Sequence, residues 1–65
     1  MRKYNIKWRK NEDSEWEILA KVEEKPKTTT ITYLKGPNAG KVEGTTMDQV
    51  KTWCGEIWAE LELVA

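Results

Sequence analysis

Residues Tyr4 to Arg9 alternate, with Tyr4, Ile6 and Trp8 on one side and Lys3, Asn5, Lys7 and Arg9 on the other. A period of two marks a half-buried strand. The polar cluster Asn11, Glu12, Asp13 and Ser14 then predicts a turn. Beyond it Trp16, Ile18, Ala20 and Val22 alternate against Glu15, Glu17, Lys21 and Glu23, which predicts a second strand. Matching the apolar faces across the turn predicts a hairpin with Trp8 opposite Trp16, Ile6 opposite Ile18 and Tyr4 opposite Ala20. On the outer face Arg9 then meets Glu15 and Lys7 meets Glu17, opposite charges directly across.

Lys25-Pro26-Lys27 interrupts the pattern, because proline cannot donate to a ladder. Thr28 to Leu34 is dense in β-branched residues and predicts a third strand. Gly36, Pro37, Asn38 and Gly40 make a turn, and Lys41 to Glu43 a short return strand. Thr46 is placed to cap a helix with Asp48 near its positive end, while Met47, Val50, Trp53 and Cys54 share one helical face. Gly55 stands where a terminating glycine is expected. In the last segment Ile57, Ala59, Leu61 and Leu63 alternate with Trp58, Glu60 and Glu62, which favours a strand. A helix continuing from Thr46 to Val64 is the alternative, since Ala, Glu and Leu are good helix formers.

The expected order is thus β-β-β-β-α-β in one domain, residues 1–65, of mainly β class. A small SH3-like barrel fits that order. The competing architecture is α+β, an open antiparallel sheet with the helix packed across it.

Composition narrows the reading. Four tryptophans supply the apolar area that a 65-residue chain needs, while a single cysteine and no histidine leave no internal disulfide and few zinc ligands. Without histidine no serine or cysteine has its usual activating base, so no enzymatic activity and no cofactor are expected. Eleven basic and eleven acidic residues cancel, which favours neither a nucleic-acid binder nor a DNA mimic. No apolar run approaches the roughly 18 residues of a membrane span, so no membrane partner is expected. With a lone thiol, a cytoplasmic location is the expectation.

Ile31 to Gly44, with Gly36-Pro37-Asn38-Ala39-Gly40-Lys41 at its centre, resembles a KOW motif. That family's barrels bind RNA or RNA polymerase. Asn38 and Thr46 depart from its usual apolar positions, and two strands precede the motif here. The span Glu15 to Trp53, with Trp16, Ala20, Val22, Ile31, Tyr33 and Val50, is similar to a Tudor-type barrel but lacks its acidic-aromatic loop. Both resemblances imply a small β barrel.

Two surfaces are candidates for binding. Lys3, Lys7, Arg9, Lys35 and Lys41 are the cations that would contact phosphate if the chain bound RNA or DNA. Trp8, Trp16, Tyr33 and Trp58 are candidates for an aromatic cage or for base stacking, with Trp8 and Trp16 assigned to the core by the hairpin register and Trp53 by its helical face. Trp58 is different: on a final strand it lies with Glu60 and Glu62 on the outer face, where Leu19 and Leu34 are the other apolar residues. Trp58, Leu19 and Leu34 are therefore the expected anchors for a larger protein partner, or for a second copy in a homodimer. By analogy of size and composition, the expected role is an accessory regulator of phage or bacterial type.

Overall fold

The computed structural model describes all 65 residues. Five strands, β1 (Arg2–Trp8), β2 (Glu17–Glu24), β3 (Thr29–Tyr33), β4 (Val42–Thr45) and β5 (Glu60–Leu63), and one helix, α1 (Met47–Ile57), follow the expected order. All strand pairs are antiparallel, and the sheet runs β4-β3-β2-β1-β5. β4 and β5 do not pair, so the expected closed barrel is replaced by an open sheet with two edges. α1 leaves β4 at one edge, crosses one face and delivers the chain to β5 at the other. Its 11 residues span about 16 Å, close to the width that four inter-strand spacings require. One helix of this length shields one face of the open sheet.

The helix-side face carries the core in cross-strand rows. Leu61, Ile6, Ala20 and Tyr33 align in one row, and Leu63, Tyr4, Val22 and Ile31 in the next. Ile6, Ala20, Val22 and Ile31 are buried against Val50 and Cys54 of α1. Tyr33 meets Trp53 edge-to-face at 5.8 Å between ring centroids, a favourable aromatic geometry.

The first hairpin forms with a different register from the one predicted. Tyr4 pairs with Val22 and Ile6 with Ala20, two residues along from the matched-face alignment. Between Ile6 and Lys7 the register slips by one, so Leu19 is an extra residue in β2 and Lys7 faces Ile18. The slip of two keeps the faces and extends the ladder to Arg2 opposite Glu24. The bulge then reverses the alternation, turning Ile18 and Trp16 to the outer face. Trp16 is therefore not a core residue, as the register predicted, and is 37% exposed.

Two local features match the sequence reading and one does not. Asn11 Oδ1 accepts from the Asp13 N–H at 2.9 Å and the Ser14 hydroxyl at 3.0 Å, a side-chain-locked turn. Thr46 caps α1, its Oγ1 accepting from the Gln49 N–H at 3.2 Å. Gly55, however, does not end the helix: α1 runs through it to Ile57, and Trp58 takes the left-handed cap position. The final segment is split, helix to Ile57 and strand from Glu60.

Candidate functional site

Trp58 is the residue whose placement least resembles a structural one. Helix termination requires a left-handed residue after Ile57, and Trp58 supplies it with φ 59° and ψ 32°. Its N–H and that of Ala59 both donate to the Cys54 carbonyl, closing the last turn. Glycine is the usual occupant, because any Cβ clashes with the following carbonyl in this conformation. Trp58 is also 87% exposed, so it contributes almost nothing to the core. A bulky side chain in a strained backbone, with its surface in water, has two costs and no folding benefit.

Trp58 therefore does not stand on the outer face of a strand beside Glu60 and Glu62, where the alternation placed it. It precedes β5 on the helix cap, and the apolar residues nearest it in the chain that remain in water are Leu63 (58% exposed) and Val64 (55% exposed). Leu19 and Leu34 lie elsewhere. Leu19 is half-buried at the bulge, and its carbonyl accepts from the N–H groups of Leu34 at 2.9 Å and Lys35 at 3.3 Å. Leu34, 42% exposed, follows β3, so these two leucines are brought together on the β2–β3 side. β1 separates them from β5 and Trp58. Leu63 and Val64 escaped sequence reasoning because the alternation assigned Leu63 to the core face. It does lie on that face, but on the edge strand, where more than half of it remains in water.

The five cations are placed unequally. Lys7 Nζ lies 2.9 Å from Glu62 Oε2 and 4.7 Å from the centroid of the Trp16 ring. The Arg9 guanidinium lies 4.3 Å from the same ring, and its Nη1 donates to the Glu12 carbonyl at 3.2 Å. Lys35 bridges to Glu17 at 3.4 Å. Lys3 stands opposite Glu23 in the β1–β2 ladder, and Lys41 lies in the glycine turn. Lys7, Arg9 and Lys35 thus already hold a carboxylate, a carbonyl or an aromatic face. The expected Lys7–Glu17 and Arg9–Glu15 ladder is replaced by these contacts, since the bulge moves Ile18 opposite Lys7.

The aromatic residues do not converge. Tyr33 is on the helix side with Trp53, Trp16 is on the outer face beneath Lys7 and Arg9, and Trp58 caps α1. Tyr33 and Trp53 do line a shallow groove of about 280 Å³ with Glu43 and Gln49 on its rim, where α1 leaves the β3–β4 side uncovered. Cys54 is buried on α1, and that burial raises its thiol pKa above the ordinary value of 9.0, against a smaller opposing backbone hydrogen bond. A protonated, enclosed thiol is a poor nucleophile. α1 is also too short and too polar to cross a membrane.

No protein-family model, curated protein or solved structure matches the chain.

Proposed function

We propose that this protein is a small non-enzymatic binding module that docks on a larger protein through Trp58. The observation that carries this reading is the pairing of 87% exposure with a left-handed backbone at one tryptophan. Selection for stability alone favours glycine there. Selection for a contact accounts for a large, rigid aromatic side chain held out from a helix end, the kind of side chain enriched at interface hot spots. The role we assign is an accessory regulator, of phage or bacterial type and acting in the cytoplasm, that occludes or modulates a partner's surface. Leu19 and Leu34, adjacent to one another on the far side of β1, would form a subsidiary apolar contact. What supports kinship with SH3-like barrels is the pairing of the last strand with the first, together with the KOW-like and Tudor-like stretches.

The test is an affinity capture from bacterial lysate with the wild-type chain and Trp58→Gly in parallel, each with and without nuclease. A stoichiometric protein that survives nuclease and is lost with Trp58→Gly supports the proposal. Partners that vanish on nuclease treatment but are indifferent to Trp58 overturn it in favour of nucleic-acid binding.

A further inference from the structure

Trp58 and Ala59 lead into β5, a strand at the unpaired edge of the sheet. β5 pairs only with β1. The Val64 N–H donates to the Lys3 carbonyl at 2.7 Å, and the alternation of an antiparallel ladder then turns the backbone groups of Glu62 and Glu60 toward β1. The N–H and C=O groups of Leu61 and Leu63 are left pointing outward along the free edge. Edges are commonly blunted by short length, charged side chains, proline or a bulge within the strand. β5 is four residues long and carries Glu60 and Glu62 but no lysine, proline or bulge, so its protection is a negative charge that repels an acidic strand and attracts a basic one.

The side chains around that edge state what it would accept. From Thr52 to Ala65 the charged residues are Glu56, Glu60 and Glu62, with no lysine or arginine among them. Lys7 answers Glu62, while Glu56 and Glu60 hold no cation. Glu60 and Glu62 stand on the outer face with Lys7 and Asn5, and Leu61 and Leu63 on the helix side with Ile6 and Tyr4. A second copy pairing through its own β5 would set glutamate against glutamate, which is destabilising directly across a ladder. A chain of the opposite pattern is complementary at every position.

We propose that β5 is a docking edge for an extended peptide segment in which basic residues alternate with apolar ones, added antiparallel to β5 as a sixth strand. Its basic side chains meet Glu60 and Glu62. Its apolar ones extend the rows of Leu61 and Leu63, and Trp58 closes over the end. This rests on the reading of Trp58 as a protein-binding residue and specifies the partner's chemistry and mode of contact.

The probe is a capped octapeptide of alternating lysine and valine, titrated into the ¹⁵N-labelled full chain, with a glutamate–valine octapeptide as its counterpart. Shift changes centred on residues 58–64 and slowed exchange of the Leu61 and Leu63 amides are expected with the lysine peptide. Its affinity should exceed that of the glutamate peptide by about tenfold, the scale of two cross-strand charge pairs reversed in sign. Glu60→Gln, which removes one of the two carboxylates without setting a lysine across the ladder from Lys7, should lower that preference to about threefold and leave the circular dichroism spectrum unchanged. Equal affinity for the two peptides, changes centred on β4, or no change near β5 at about millimolar peptide, the weak end of measurable binding, overturns the proposal. If the lysate partner is lost with Trp58→Gly but the peptide leaves β5 untouched, the edge proposal alone fails. If the partner is retained with Trp58→Gly, the underlying reading fails as well.

Discussion

Replacing Trp58 by glycine and by alanine separates what this residue does for the fold from what it does for a partner. Both changes delete the same side chain. With 87% of Trp58 in water, roughly 30 Å² of a 250 Å² side chain is buried, worth about 0.8 kcal/mol at most. The two variants differ in the backbone: alanine keeps the Cβ that clashes at φ 59°, while glycine removes it. The left-handed conformation costs an L-residue about 1–2 kcal/mol. Glycine gives back part of that relief by making the unfolded chain more flexible, about 0.4–1 kcal/mol. Trp58→Gly should therefore be about 1 kcal/mol more stable than Trp58→Ala, and roughly equal to the wild type or above it. In a domain of this size that is a difference in Tm of about 4–8 °C, readable by thermal or urea denaturation followed by circular dichroism. Equal stabilities for the two variants would refute the left-handed assignment. A loss of several kcal/mol in both would show Trp58 to be a packing residue, and the functional argument would fall with it.

Four further outcomes follow from the same geometry. Gly55 lies inside α1 with open space around the position of an added Cβ, so Gly55→Ala should stabilise the fold by about 0.5–1 kcal/mol in urea titrations. A loss of stability would mean that the helix ends at Gly55 after all. Trp16→Ala removes the ring beneath Lys7 and Arg9 and should cost about 2 kcal/mol, measured the same way. Ala20 is fully buried between Ile6 and Tyr33 in the core row, so Ala20→Leu should overpack it and cost about 1–3 kcal/mol, with loss of near-ultraviolet ellipticity. Cys54 binds its proton more tightly folded than unfolded, so its contribution is intact below about pH 9 and stability falls as pH rises through the thiol's raised folded pKa. Cys54→Ala should flatten that alkaline slope in a pH series of denaturation curves.

How far the sequence could carry this reading depends on which signals are local. The Asn11–Ser14 turn, the Thr46 cap and the strand identities were legible because each rests on a few neighbouring residues. The hairpin register was not. A slip of two residues leaves every side chain on its own face, so alternation cannot distinguish Ile6 opposite Ile18 from Ile6 opposite Ala20. The bulge at Leu19 is harder still, since it reverses the faces of Ile18 and Trp16 within one apparently continuous pattern. Its energetic partner, the placement of Lys7 and Arg9 over Trp16, comes from β1 and the residue that follows it and cannot be read from β2. Closure of the sheet is a global property of curvature and helix length, and the order of elements is the same for a barrel and an open layer. Trp58 illustrates the remaining gap. It was legible as an apolar residue on the wrong side of a pattern, but the pattern was that of a strand it does not join. Its actual position adds a reason the alternation could not contain: the chain must turn left-handed after Ile57, and the residue doing so is one that the backbone disfavours. Gly55, three residues earlier, has no Cβ and is spent inside the helix. That inversion, a glycine where a side chain fits and a tryptophan where glycine fits, is what a fold tuned for stability alone would not keep.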